Sequence, residues 1–159
     1  MFSRNLLTKY TAKAIARTYA TEAPATSNVL KLQFALPHDT LFARKEIYQA
    51  NLPIKSGQIG VLANHVPIVE QLVPGVVEIF ENANTSKKYF VSGGFASVQP
   101  DSTLTVTAAE AFPLEQFDPS AVRSLKDEAK KNISSSDEKV AAEANIQLEV
   151  LEVLEAALK

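Results

Sequence analysis

There is no cysteine in this chain of 159 residues. That excludes a disulfide framework, a thiolate metal site and a cysteine nucleophile. Histidine is scarce, with only His38 and His65 present. Neither has a second histidine or a carboxylate at helical ligand spacing. His38 sits beside Asp39 in a turn-like Pro37-His38-Asp39 cluster, which points to local hydrogen bonding rather than a metal centre. His65 has the chemistry of a general base, but it lies in a loop with no catalytic company and is better taken as a structural or interface histidine. No apolar run reaches the ~18 residues needed to span a bilayer. A Gly-x-Ser-x-Gly elbow and a phosphate-cradling Gly-x-x-x-x-Gly-Lys loop are both missing. Lys87-Lys88 and Lys130-Lys131 are too short to mark a nucleic-acid or membrane surface. Bond-making chemistry therefore has no visible seat, and no cofactor is expected.

Acidic residues are missing from the first 21 positions, which carry Arg4, Lys9, Lys13 and Arg17. Leu6, Leu7, Tyr10, Ala14 and Ile15 can share one helical face. A basic, acid-free amphipathic helix is the composition of a mitochondrial presequence. A basic surface helix of the mature fold is the plainer alternative. Arg17-Thr18-Tyr19 before Ala20 suggests cleavage after Tyr19, giving a presequence over 1–19. Residues 20–28 are small, polar and Pro-containing, and are expected to form a flexible lead-in. Without the first 19 residues twelve basic and eighteen acidic groups remain, a net charge near −6. That disfavours a nucleic-acid partner.

From Val29 to about Ala109 the apolar period is two. Leu30, Leu32, Phe34 and Leu36 alternate with polar or small residues, as do Tyr48, Ala50, Leu52 and Ile54, and Leu104, Val106 and Ala108. Turn clusters at Pro37-His38-Asp39, Lys55-Ser56-Gly57, Val73-Pro74-Gly75, Asn82 to Ser86 and Gln99 to Ser102 separate the runs. Such spacing predicts an antiparallel β-sandwich or flattened barrel over 29–112. Gly57 and Gly60 are expected to allow a tight turn into a strand, and Gly93-Gly94 suits a bulge or a close backbone approach.

Beyond Phe117 the period becomes 3.6. Asp118 suits an N-cap and Pro119 the first helical position. Val122, Leu125, Ala129 and Ile133 form a narrow stripe. Ser134 to Asp137 interrupts, and Ser135 with Glu138 suggests a capping box. The result is an α-helical hairpin over 113–159, so the fold class is β+α: sandwich first, two-helix hairpin second. The second helix is broadly apolar. Val140, Ala144, Leu148, Leu151, Leu154 and Leu158 make one stripe, and Ile146, Val150, Val153 and Ala157 another. Together they cover roughly 220° of the circumference, whereas one packing partner requires about 100°. The sandwich or another subunit must cover the rest. The many Glu residues after Asp137 read as a solvated face.

Three stretches, in order, carry a resemblance: Gly57 to Pro67 followed by Pro74-Gly75-Val76-Val77; Tyr89 to Pro100 around Gly93-Gly94; and Ile133-Ser134-Ser135-Ser136-Asp137. Their order and spacing from Val29 onward resemble the small sandwich-plus-hairpin subunit of the rotor stalk of F-type ATP synthases, called epsilon in bacteria and chloroplasts and delta in mitochondria. The resemblance implies a non-catalytic coupling subunit, peripheral to the inner membrane on the matrix side. It implies contact with the gamma shaft, the c-subunit ring and the small mitochondrial epsilon subunit, and no homo-oligomer. Lys55, Ser56 and Gln58 match the loop that meets the ring. Gln58 stands where bacterial relatives often carry glutamate, which leaves a polar contact rather than a salt bridge. His65, Val66 and Pro67 match the segment near gamma. Ile146, Val150, Val153 and Ala157 are expected to face mitochondrial epsilon. Some bacterial relatives bind ATP at the start of the first helix, using an arginine where Phe117-Asp118-Pro119-Ser120-Ala121 places Ala121. That contact is lost here. A bacterial-style inhibitor of ATP hydrolysis and an unrelated mitochondrial sandwich module are the alternatives.

Overall fold

The computed structural model describes residues 28–159. The basic segment, its cleavage point after Tyr19 and the lead-in up to residue 27 lie outside the described residues. Ten strands come first: β1 (Leu30–Ala35), β2 (Thr40–Ile47), β3 (Gln49–Ile54), β4 (Gly57–Val61), β5 (Ile68–Leu72), β6 (Gly75–Asn82), β7 (Thr85–Val91), β8 (Gly94–Val98), β9 (Thr103–Ala108) and β10 (Ala111–Pro113). They pair in the order β10-β7-β6-β3-β5-β8-β9-β1-β2, with β4 beside β3. The β3–β5 junction is narrow, with Ile54 opposite Leu72. The sheet folds over there, bringing two faces together on one core.

The alternating residues fill that core. Leu30, Leu32, Phe34, Ala50, Leu52, Ile54, Leu104, Val106 and Ala108 are all buried. Phe34 and Phe42 meet the ring of Tyr89 edge-on, both at 5.9 Å between centroids, and so tie β1 and β2 to β7 across the sandwich. Two details depart from the sequence expectation. One pairing is parallel: β1 runs alongside β9, with Leu32 opposite Leu104 and Phe34 opposite Val106. Alternation dictates which face is buried but not which neighbour a strand takes, nor its direction. Tyr48 is the other departure. It is exposed and sits between β2 and β3 rather than in the inward set, at the bend where the chain passes from pairing with β1 to pairing with β6.

Gly94 is the glycine the fold can least replace. A Cβ there would collide with the Thr107 carbonyl oxygen and lie 2.8 Å from the Ala108 Cα, at a φ of +154°. Gly57 begins β4 at a φ of +131°, as a tight turn needs. Gly60 does something other than turning. It lies mid-strand opposite Asn51, and a Cβ would crowd the Gln49 and Asn51 side chains, which are hydrogen-bonded to each other at 2.7 Å.

A 3-10 turn at Leu114–Gln116 leads to α1 (Pro119–Asn132) and α2 (Glu138–Ala157). Asp118 caps α1 as expected, its Oδ1 accepting from the Ser120 N–H at 2.8 Å. The expected capping box at α2 gives way to a different cap. Asp137 accepts from the Lys139 N–H at 2.9 Å, while Ser135 Oγ accepts from the Asp137 N–H. A carboxylate one residue before the helix reaches its free N–H groups at shorter span than Ser135 could. The hairpin docks through a second cluster. Phe90, Val122 and Leu154 are buried, with Val76, Leu114, Phe117, Val150, Leu151 and Leu158 packed around them. Phe117 meets Phe90 edge-on at 5.8 Å and Phe112 at 6.2 Å. Between the helices Lys126 pairs with Glu155 at 2.8 Å and with Glu152 at 3.7 Å, and Arg123 reaches Glu155 at 3.7 Å. Those glutamates are therefore ion-paired rather than merely solvated.

Candidate functional site

Strand register sorts the loops of the sandwich between two ends. Ile54 lies opposite Leu72, Leu72 opposite Gly94 and Gly94 opposite Ala108. The turns at Lys55-Ser56, Val73-Pro74 and Ser92-Gly93 therefore gather at one end. The Lys55 N–H donates to the Gln71 carbonyl and the Val73 N–H to the Pro53 carbonyl, which fixes two of them to each other. The loop between β4 and β5, the β6–β7 turn and the β8–β9 turn gather at the other. Lys55, Ser56 and Gln58 are exposed at the first end, and Val66 and Pro67 at the second. One strand, β4, runs between them. Its five residues span about 17 Å at the usual rise.

Gln58 is different from its neighbours. It lines a cleft with Asn51, Val76, Glu78, Lys88, Leu114 and Ala157, and so looks onto the end of α2 as well as outward. At the opposite end Val66 is 66 % exposed. His65 is half-buried, and its Nδ1 lies 2.8 Å from the Val66 carbonyl oxygen. The imidazole is thus occupied with local backbone. A wider apolar surface continues from this loop and is not legible in the sequence. Val69 pairs with Ser97 and Gln71 with Phe95, so Val69 and Phe95 are diagonal neighbours on one sheet face. Both are exposed, Phe95 at 61 %. The apolar/polar pattern of β5 does not reveal which of its sides meets the core.

The broad apolar face of α2 divides in two. Val150 packs with the hairpin–sandwich cluster, and Ala157 borders the cleft against Val76 and Glu78. Ile146 is 65 % exposed and Val153 37 %. Ile146 lines a groove between α1 and α2 with Leu125, Glu128, Asn132, Gln147 and Val150. Leu125, placed by periodicity on the buried stripe, is instead exposed in this groove. It lies one turn from Val122, and the α1–α2 crossing leaves that turn open.

Electrostatically the most perturbed group is Glu81 on β6. Lys45 and Lys87 each approach its Oε1 at 2.8 Å. Hydrogen bonds from Lys45 first and Lys87 second hold its pKa down at about 2. Both ammonium groups also lie over the Phe42 ring, at 5.7 and 5.9 Å. This clamp joins β2 to β6 and β7. Among the described residues no group of three or more His, Asp and Glu could hold a metal ion. Asp118 is held below the usual carboxylate range by its bonds from Ser120, as a helix cap should be.

Comparison with known proteins agrees with this architecture. The family "ATP synthase, Delta/Epsilon chain, beta-sandwich domain" matches residues 29–113, and "Fungal epsilon subunit of F1F0-ATP synthase C-terminal domain" matches 117–156. The mitochondrial ATP synthase subunit delta of Kluyveromyces lactis is 64% identical over 157 residues, covering 99% of this chain and 96% of that one. Its Saccharomyces cerevisiae counterpart is 66% identical over 143 residues, covering 90% and 88%. A chain in the cryo-EM structure of the Euglena gracilis mitochondrial ATP synthase, OSCP/F1/c-ring in rotational state 1, superposes with a TM-score of 0.80 over 100% of both chains at 26% identity.

Proposed function

The chain belongs to the ATP synthase delta/epsilon family, and we propose that the two loop ends of its sandwich are where it joins the gamma shaft to the c-subunit ring. It is a non-catalytic subunit of the mitochondrial ATP synthase central stalk, on the matrix side of the inner membrane. It carries out no bond chemistry. No helix among the described residues is long and apolar enough to cross a membrane. Its attachment to the membrane is through the complex.

One observation carries the assignment of ends. The polar turn at Lys55-Ser56 and the apolar loop at Val66-Pro67 lie at opposite ends of β4, on a close-packed core. Dense interiors transmit strain, so torque entering one end leaves at the other with little lost to deformation. The polar end suits the loops of the ring, and the apolar end suits a helical shaft. The bacterial-type inhibitor is not favoured. Its nucleotide-contacting arginine is replaced by Ala121, and the nearby Arg123 is engaged with Glu155. The α1–α2 groove, with Leu125 and Ile146 open on its rim, is the surface for the small epsilon subunit.

The absence of cysteine makes a direct test simple. Ser56→Cys and Val66→Cys give single-thiol chains, each assembled into the complex and oxidised with a cysteine on the neighbouring partner surface. The expected products are a crosslink from position 56 to the c subunit and one from position 66 to gamma. Exchange of the two products, or failure of both, would overturn the assignment of ends.

A further inference from the structure

We infer that Ser102, at the foot of the β8–β9 turn where the chain enters β9, is the positioning residue that holds His65-Val66-Pro67 at its angle to the shaft, acting through Asn64. Among the described residues, Ser102 and Thr103 are the buried polar side chains, Ser102 at 1% exposure. A fully buried hydroxyl at the foot of a turn calls for a partner, and it finds one 38 positions away. Ser102 Oγ accepts from the Asn64 N–H at 2.9 Å and lies 3.4 Å from Asn64 Oδ1, to which it donates.

Ser102 itself is held firmly. Its N–H donates to the Gln99 carbonyl at 3.1 Å, and its carbonyl accepts from the Lys31 N–H at 3.0 Å. It is thus an anchor set into the sandwich, not a side chain that follows the loop. The loop beyond Asn64 is already stiff. Pro67 fixes its own φ and restricts the backbone of Val66, and the His65 ring lies against the Val66 carbonyl. Asn64, whose φ is +60°, is the corner of the turn that the His65 N–H closes on the Leu62 carbonyl at 3.2 Å, so its placement sets the direction in which the stiff segment leaves. Ser102 has the same φ of +60°. Two non-glycine residues in the left-handed region, bonded to each other, form a pivot in which each holds the other in place.

The test rests on the shaft contact proposed above and is built to separate the two claims. Crosslinking of Val66→Cys to gamma is measured in the assembled complex, with and without Ser102→Gly. Glycine relieves the positive φ while removing the hydroxyl, so the melting temperature of the isolated chain should hardly move. The crosslink yield should fall about fivefold, the scale of one lost hydrogen bond. Asn64→Gly, at an exposed position, keeps the backbone N–H that Ser102 accepts but loses the 3.4 Å bond to Oδ1 and frees the backbone at the pivot, so it should lower the yield to a smaller extent, and it serves if Ser102→Gly fails to fold. Asn64→Asp keeps the acceptor and should retain the yield. An unchanged yield in both glycine variants, with the parent Val66→Cys crosslinking normally, overturns the pivot and leaves the shaft contact standing. No crosslink in any background overturns the shaft contact, and the pivot with it.

Discussion

Gly94 shows how much a single missing methyl group can decide. Its backbone lies so close to β9 that a Cβ would overlap the Thr107 carbonyl oxygen, and its φ of +154° is rarely adopted by other residues. Gly94→Ala should therefore destabilise the isolated chain by about 3 kcal/mol or more, since both strain and overpacking act at once. Urea unfolding measures it, and a loss under about 1 kcal/mol would mean the strands can separate at little cost. Glu81 gives a prediction in pH. Its folded pKa is about 2, against 4.5 for the free group. The clamp with Lys45 and Lys87 therefore contributes stability above about pH 4.5 that drains away as pH falls toward 2. Glu81→Gln should flatten the acid limb of the stability curve in that window and leave its slope near neutrality unchanged. Added salt should shrink the difference, because the clamp is open to solvent.

At the scale of elements, α2 is asked to pack two ways. Val150 touches the cluster that docks the hairpin, while Ile146 is open in the α1–α2 groove. Val150→Asp should lower the melting temperature of the isolated chain, because a carboxylate among Phe90, Val122 and Leu154 forfeits apolar burial and is poorly solvated. Ile146→Asp should leave that temperature nearly unchanged and release the small epsilon subunit from the purified complex. The reverse pattern would place the core and interface faces of α2 the other way round. Much of this was legible in the sequence. The 3.6 period, the Asp118-Pro119 start and the serine-rich break located both helices. Leu125 was misplaced because periodicity gives a residue's angle on its own helix and not where the neighbouring helix crosses. Among the strands, β1, β3 and β9 announced themselves by alternation. β2 did not: its pairing with β1 shifts register twice, Arg44 takes a φ of 51°, and Phe42 and Ile47 are its buried residues.

For the molecule as a whole, motif order along the chain was enough to name a family. The polar turn and the histidine loop could be found from their matched segments. The long-range pairs that fasten the sandwich were invisible. Ser102 meets Asn64, and Glu81 meets Lys45, only after the sheet has folded over and brought residues from distant strands together. No local period encodes such pairs. On the proposed function this chain couples the ring to the shaft as a stiff connector, without chemistry of its own. ATP-driven proton pumping, measured against ATP hydrolysis in complexes made with and without the chain, tests it most directly. Without the chain, hydrolysis should persist while pumping is lost, or the stalk should fail to assemble on the ring. Pumping at the normal ratio to hydrolysis in a complex lacking the chain would contradict it.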